Sequence, residues 1–192
     1  MKIGLFGGSF NPVHYGHLEI SKKALKYVDE VWIMPCCNHP FRKNNISFHH
    51  RYKMIEIALK ELGNEKIKVS DFEYKKNKKS ETINTLKKLA NEYPDYDFIW
   101  ILGSDVLSEI KKWKNYDELM RKAVFLIVER PGFDMKNIPS NLKYIGNMNI
   151  KTAISSTKIR EKIKNSENVN NLLPNGVINY IKKNELYKNS KK

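Results

Sequence analysis

Residues 2–18 read KIGLFGGSFNPVHYGHL, and this stretch decides how the start of the chain folds. Its apolar beginning, residues 2–6, predicts a short buried strand. A helix is predicted over residues 15–28, because the apolar residues there keep helical spacing. The two glycines between them let the backbone approach a ligand closely. A glycine-rich turn that leads from a strand to a helix start favours anion binding, since free amides and the helix dipole attract phosphate.

Strands and helices alternate along the rest of the chain. Continuous apolar runs predict buried strands over residues 31–34, 98–102 and 124–128, and weaker patterns predict strands over 67–73, 142–145 and 150–154. Strands that are apolar along their whole length indicate a parallel sheet covered on both faces. We therefore predict an α/β fold with an open parallel sheet. The expected organisation is one domain over residues 1–187, with a small helical C-terminal part and a flexible tail at 188–192.

Composition narrows the classes of function. The net charge is +14, but the lysines are scattered along the chain. Scattered charge favours solvation, or attraction of small anionic substrates, over a dedicated nucleic-acid surface. No apolar run is long enough to cross a bilayer, and a strand-like segment follows Met1 directly, so we expect a cytoplasmic protein. The adjacent Cys36 and Cys37 are interpreted as reduced thiols, because neighbouring cysteines rarely form a good disulfide.

Two histidines, His14 and His17, are the first candidates for catalysis. If the helix begins near Tyr15, both project from the same side of its first turn, and Gly16 between them carries no side chain that could block access. Two imidazole donors there could stabilise charge on a phosphoryl group. Two alternatives compete: zinc ligands, for which no third ligand with matching spacing is nearby, and ordinary core or surface histidines.

GGSFNPVHYGHL, residues 7–18, resembles the signature of the nucleotidyltransferase superfamily with the (H/T)xGH motif. Further segments narrow the resemblance to bacterial nicotinate-nucleotide adenylyltransferases, over roughly residues 2–187. The resemblance implies a Rossmann-like sheet with helices on both faces. It also implies a reaction in which ATP and nicotinate mononucleotide give nicotinate adenine dinucleotide and pyrophosphate. Three alternatives remain: a related adenylyltransferase acting on nicotinamide mononucleotide or pantetheine phosphate, a non-catalytic nucleotide-binding module, and a basic nucleic-acid-binding protein.

A second segment, ISSTKIR at residues 154–160, resembles the family's ISSTxIR element. It is a helix start with consecutive hydroxyls, and Arg160 lies one turn beyond Ser156 on the same face, where both can meet one anion. We assign catalysis to His14, His17 and Arg160. The resemblance implies an ATP site made of Gly7, Gly8, Ser9, Phe10, His14, His17, Gly103, Asp105, Ile154, Ser155, Ser156, Thr157 and Arg160.

Three more segments resemble the part of the family that binds the mononucleotide. LGSD at residues 102–105 with Trp113 downstream resembles a GxD element and a tryptophan that stacks on the pyridine ring. SETINTL at 80–86 carries Glu81 where the family often has tyrosine. HPFRK at 39–43 has Phe41 in place of a histidine, and its register favours Arg42 over Lys43 as the cation. The implied mononucleotide site comprises Ser9, Arg42, Lys43, Thr82, Thr85, Asp105, Trp113 and Arg130.

The expected mechanism needs no activated side-chain nucleophile. A phosphate monoester is largely dianionic at pH 7 and can attack by itself, because its second pKa is about 6. Mg²⁺ is expected to arrive with ATP, bound by nucleotide oxygens and water, since no cluster of acidic residues suggests a separate metal site. Two interpretations of Arg51 stay open: it matches a position of the family, or it forms a structural salt bridge. The sequence leaves a homo-oligomer open.

Overall fold

A computed structural model of the protein describes residues 1–37, 46–76, 81–107, 109–129, 138–139, 142–149 and 154–188. The described part contains a six-stranded sheet with strand order β3-β2-β1-β4-β5-β6. Every neighbouring pair is parallel. The strands are β1 Lys2–Gly8, β2 Glu30–Pro35, β3 Ile67–Val69, β4 Asp97–Gly103, β5 Val124–Glu129 and β6 Lys143–Asn149. The predicted open parallel sheet is confirmed.

Helices connect the strands and cover the sheet. They are α1 Tyr15–Ala24, α2 Phe48–Leu62, α3 Phe72–Lys76, α4 Thr82–Glu92, α5 Tyr116–Lys122, α6 Ser156–Lys164 and α7 Asn175–Lys183. Two short 3₁₀ turns, Ser104–Val106 and Ile110–Lys112, follow β4. None of the helices in the described ranges has the length and apolar character that a bilayer span requires.

Two of the predicted strands were wrong in their extent. The strand predicted over residues 67–73 stops at Val69, because the Ser70 hydroxyl accepts the Phe72 amide at 3.3 Å and α3 begins there. The weak strand predicted over 150–154 falls almost wholly on residues that the structure does not describe. The one predicted over 142–145 is longer and forms β6. Its pairing with the buried β5 continues from Lys143 to Asn149 across one register shift. Residues 150–153 lie outside the described residues, as do 189–192 of the expected tail.

Both faces of the sheet are buried, and each has its own apolar core. On one face Ile99, Ile101, Leu126 and Val128 pack with residues of α1, α2, α6 and α7. On the other face Trp100, Leu102, Phe125 and Ile127 pack with residues of α4 and α5. Successive residues of β4 and β5 thus enter opposite cores. This explains why these strands are apolar along their whole length.

The topology places a switch point at the carboxyl ends of β1 and β4. From β1 the chain continues to β2 and β3 on one side, then crosses to β4, β5 and β6 on the other. In open α/β sheets ligands bind at such a switch point, outside the carboxyl ends of the strands. The segments that follow β1 and β4 carry the GGSFNPVHYGH and GSD motifs of the sequence.

Candidate active site

The two glycines that end β1 pack closely against large side chains. A Cβ at Gly7 would lie 2.7 Å from Cζ2 of Trp100, and one at Gly8 would lie 3.1 Å from the Phe10 ring. Phe10 is buried with a positive φ of 47°, and its ring meets the His17 ring edge-on at 4.8 Å between centroids. This packing brings the loop after β1 against the first turn of α1.

The two histidines form a stacked pair at the start of α1. The helix begins at Tyr15, as the sequence predicted. The ring centroids of the two histidines are 3.6 Å apart, with 21° between the planes. His14 is buried and His17 is half-buried. The His14 backbone amide donates to Nδ1 of His17 at 3.2 Å. Since that nitrogen accepts, a neutral His17 carries its hydrogen on Nε2 and is a donor there.

Gly16 makes room for the pair. A Cβ at this position would lie 3.1 Å from Nδ1 of His14 and 3.6 Å from Cβ of Ile154. The glycine thus lets the His14 ring and the segment before α6 approach α1 together. From the sequence, Gly16 was predicted only to leave access for a ligand. The structure shows in addition that it allows two distant segments to pack together.

The start of α6 is joined directly to the loop after β1. The Ser156 hydroxyl donates to the Pro12 carbonyl at 3.0 Å, and the Arg160 guanidinium donates to the Asn11 carbonyl at 2.8 Å. Arg160 also donates to the Thr157 hydroxyl at 3.2 Å. The structure therefore brings the two motifs together. The Ser156 hydrogen is committed to Pro12, so the amides of the first helical turn are better placed as phosphate donors than this hydroxyl.

A tyrosine near the C-terminus holds the same loop from a third direction. The Tyr187 hydroxyl donates to Oδ1 of Asn11 at 2.7 Å. Burial raises the pKa of this hydroxyl above its usual range, so it stays protonated and able to donate. Asn11 is buried and accepts from Tyr187 with its side chain and from Arg160 with its backbone. The sequence gives no sign of this contact, because Tyr187 and Asn11 are 176 positions apart.

Removing the Tyr187 hydroxyl is expected to affect the residues for which the sequence predicts ATP binding. In Tyr187→Phe the lost hydrogen bond should lower the free energy of unfolding by about 1 kcal/mol. The KM for ATP should rise more than the KM for the mononucleotide, because the loop that positions Arg160 is loosened. Denaturant unfolding and the two Michaelis constants check this. Tyr144→Phe is the matched control, since Tyr144 is exposed. An ATP KM equal in both variants would contradict the assigned contact.

Arg51 fixes the loop after β1 to the end of β2. Its side chain is 2% exposed, and the guanidinium donates to backbone carbonyls of Ser9, Cys36, Cys37 and Ile46, at 2.7 to 3.4 Å. The expected structural salt bridge is thus replaced by hydrogen bonds to carbonyls, which match the five N–H donors of a guanidinium. Cys36 and Cys37 form no disulfide, and burial raises the pKa of the Cys36 thiol.

The segment after β4 contributes the predicted Gly103, Asp105 and Trp113. Gly103 ends β4, and Asp105 lies half-buried in the first 3₁₀ turn. Trp113 directly follows the second 3₁₀ turn, is half-buried and packs against the apolar core on that side of the sheet. The flanking Lys112 and Lys114 are exposed, while the indole has one side in the core.

The start of α4 separates two residues that the sequence treated alike. Thr82 begins the helix and is half-buried. Thr85 is fully buried, and its hydroxyl donates to Oε1 of Glu73 at 3.0 Å. A hydroxyl enclosed in this way fixes α3 to α4 and is not presented to a ligand. The structure thus corrects the expectation that Thr85 contacts the mononucleotide directly.

Three predicted site residues, Arg42, Lys43 and Arg130, lie outside the described residues. The remaining ones divide into two groups around the switch point. The first group, after β1 and at the start of α6, supplies imidazole, guanidinium and amide donors. The second group, after β4 and at the start of α4, supplies a carboxylate, an indole and helix-start amides. Within the described ranges, no three His, Cys, Asp or Glu side chains are grouped so as to hold a metal ion.

Comparison with known proteins agrees with this geometry. The cytidylyltransferase-like family model matches residues 5–162, so the chain belongs to that family of nucleotidyltransferases. Within it, the chain belongs to the nicotinate-nucleotide adenylyltransferases. It is 38% identical to one from Clostridium tetani and 36% identical to one from Bacillus licheniformis. Each match covers 97% of this chain, and 99% and 98% of the respective relative.

Solved structures give the same result. The nicotinic acid mononucleotide adenylyltransferase of Plasmodium falciparum complexed with NaAD superposes with a TM-score of 0.81. The two chains are 28% identical, and the match covers 97% of each. The resemblance to this family expected from the sequence is thereby confirmed, together with the Rossmann-like fold.

Proposed function

We propose that the protein joins ATP and nicotinate mononucleotide to give nicotinate adenine dinucleotide and pyrophosphate, a step of NAD biosynthesis. The observation that carries this proposal is the junction of the stacked His14–His17 pair with the start of α6 at the switch point of the sheet. Donors that suit a triphosphate converge there. The relatives' names and the NaAD in the Plasmodium structure support nicotinate mononucleotide as the second substrate.

The reaction is a displacement at the α-phosphorus of ATP. A phosphate oxygen of nicotinate mononucleotide forms the new P–O bond, and the bond from the α-phosphorus to the α,β-bridging oxygen breaks. Pyrophosphate carries away the electron pair. Since the attacking phosphate is already an anion, the protein has to align the two phosphates and stabilise the charge that develops. No side-chain base is needed for this step.

His17 and Arg160 stabilise that charge in this proposal. The backbone bond to Nδ1 makes His17 a donor through Nε2, so its hydrogen can meet an oxygen around the α-phosphorus. The Arg160 guanidinium donates to the Asn11 carbonyl in the loop after β1. Its planar set of N–H donors suits the β- and γ-phosphates. The amides of the first turn of α6 add further donors. All of these groups are hydrogen-bond donors that bind anions. None of them is a ligand for Mg²⁺, which binds phosphate oxygens of the nucleotide in this proposal.

Mg²⁺ accordingly enters with ATP as part of the substrate complex. Its chemistry is to screen the triphosphate and the departing pyrophosphate. His14, His17 and Arg160 fit such a complex as donors to its oxygens and not as ligands to the ion. The cytoplasmic location expected from the sequence stays a prediction.

The pyridine ring is recognised by Trp113 and by the start of α4. The indole offers a stacking face, and the amides near Thr82 favour a carboxylate over a neutral amide. A charged hydrogen bond exceeds a neutral one by about 1 kcal/mol or more. Asp105 is proposed to accept hydrogen bonds from a ribose. Arg42 or Lys43, Arg130 and Ser9 are proposed to meet the mononucleotide phosphate.

We expect the protein to prefer nicotinate over nicotinamide mononucleotide by at least about tenfold in kcat/KM, a factor of about 1.4 kcal/mol. Trp113→Ala should lower kcat/KM for both substrates and leave their ratio nearly unchanged, because stacking does not distinguish a carboxylate from an amide. The measurement is kcat/KM for both mononucleotides in the unaltered protein and in the variant.

Trp32→Ala is a useful control. Its indole packs on Tyr93, Tyr96 and Phe98 away from the segment after β4. A loss of stability without a change specific to the mononucleotide is expected for it. Equal use of the two mononucleotides by the unaltered protein would defeat the carboxylate assignment. Full efficiency in Trp113→Ala would defeat the stacking role.

A further inference from the structure

Glu81 and Lys114 form an ion pair between the two elements proposed to bind the pyridine ring. Lys114 Nζ lies 3.0 Å from Oε1 and 2.9 Å from Oε2 of Glu81. The side-chain amide of Asn84 donates to the same carboxylate. The Glu81 side chain is 22% exposed and that of Lys114 is 56% exposed, so the carboxylate is the better enclosed partner.

The position of the pair in the sequence gives it a direct relation to the site. Glu81 immediately precedes Thr82 at the start of α4, and Lys114 immediately follows Trp113. The Glu81 carboxylate makes no capping bond to the backbone amides of α4. It is directed to Lys114 and Asn84 instead, so the pair bridges α4 and the segment after β4. The Asn84 and Thr85 amides donate to the Glu81 backbone carbonyl, and the Glu81 carboxylate does not cap the helix.

We propose that Lys114 maintains the selectivity of the protein for the acidic mononucleotide by neutralising the Glu81 carboxylate at the start of α4. This inference rests on the proposed function and deepens it. An isolated carboxylate beside Thr82 would repel the nicotinate carboxylate and would leave the neutral nicotinamide ring unaffected. Lys114 cancels that charge and also ties the Trp113 segment to α4. Both residues are positioning residues, because they act through the helix start and the indole.

The two halves of the pair should respond in opposite directions when one is removed. Lys114→Met leaves Glu81 without its cation, and the ratio of kcat/KM for nicotinate over nicotinamide mononucleotide should fall about three- to fivefold. Glu81→Gln leaves a lysine without its anion, and the same ratio should rise, because the unpaired cation favours the nicotinate carboxylate. The double variant should return to within about twofold of the unaltered protein. Lys114→Arg keeps the charge and should keep the ratio.

A second ion pair on the same helix provides the control, and its carboxylate, Glu118, also pairs with Lys122 at 3.1 Å. Lys87 of α4 and Glu118 of α5 are 2.8 Å apart, with side chains 43% and 23% exposed. This pair also joins α4 to a neighbouring element, but it lies away from the helix start. Lys87→Met should therefore leave the nicotinate-to-nicotinamide ratio unchanged. Thermal unfolding of every variant shows whether a loss of efficiency follows from a loss of folded protein.

Opposite shifts in the two single variants, with recovery in the double variant, support the inference. Equal losses for both mononucleotides with an unmoved ratio would overturn it and reduce the pair to a structural contact. A shift in Lys87→Met as large as that in Lys114→Met would overturn it too. Failure of the unaltered protein to use nicotinate mononucleotide would overturn the proposed function as well, so the two failures are distinguishable.

Discussion

Replacing His17 by alanine is expected to lower kcat about a hundredfold or more, while ATP binding changes much less. The reason is that a donor directed at charge developing in the transition state is worth on the order of 3 kcal/mol. The hydrogen bond from the His14 amide to Nδ1 fixes which nitrogen of a neutral His17 donates. The measurement is steady-state kcat together with the dissociation constant of ATP.

His49→Ala is the control for this prediction. His49 is an exposed histidine on α2, so its loss should leave turnover unchanged. The His17 variant should unfold near the temperature of the unaltered protein, although its edge contact with Phe10 is lost. Near-normal turnover in a folded His17→Ala protein would refute the catalytic role of this residue.

Replacing Arg160 by alanine is expected to lower kcat/KM for ATP about ten- to a hundredfold. A hydrogen bond to a charged group contributes about 1.5–3 kcal/mol, and the guanidinium is proposed to meet the outer phosphates. The KM for nicotinate mononucleotide should change little. Arg160→Lys should recover only part of the loss, because an ammonium group cannot reproduce the fork that reaches Asn11 and Thr157 together.

Lys158→Ala is a matched control for Arg160, since Lys158 is an exposed cation on the same helix. It should leave both Michaelis constants close to their original values. A defect of Arg160→Ala confined to the mononucleotide would mean that α6 serves the other end of the site. A similar ATP defect in both variants would assign the effect to net charge instead of to this side chain.

The fold was predictable because its strongest signals are local. The apolar runs of β4 and β5 send alternate residues into two cores, and such runs require a sheet covered on both faces. Boundaries were less predictable where one side chain decides them. Ser70 ends β3 by bonding the Phe72 amide, and the alternating pattern of the segment gives no sign of that bond.

The candidate site was predictable where one short motif contains all the residues that act together. The histidine pair and the start of α6 are of this kind, and the structure joins them. Contacts between distant residues were not predictable from patterns. Tyr187 donates to Asn11, which is 176 positions away in the sequence. Arg51 donates to the carbonyl of Ser9 after β1 and to that of Cys36 after β2. Thr85 matched a motif, but its hydroxyl is bound to Glu73 of α3, a contact that the motif does not contain.

The most direct test of the account is pyrophosphate release from ATP in the presence of single mononucleotides. Nicotinate mononucleotide, nicotinamide mononucleotide and pantetheine phosphate would be compared, with the product identified by mass. The account predicts one pyrophosphate for each nicotinate adenine dinucleotide formed, and a kcat/KM for nicotinate mononucleotide at least about tenfold above that for either alternative. Faster turnover of nicotinamide mononucleotide or pantetheine phosphate, or no release with any of the three, would contradict it.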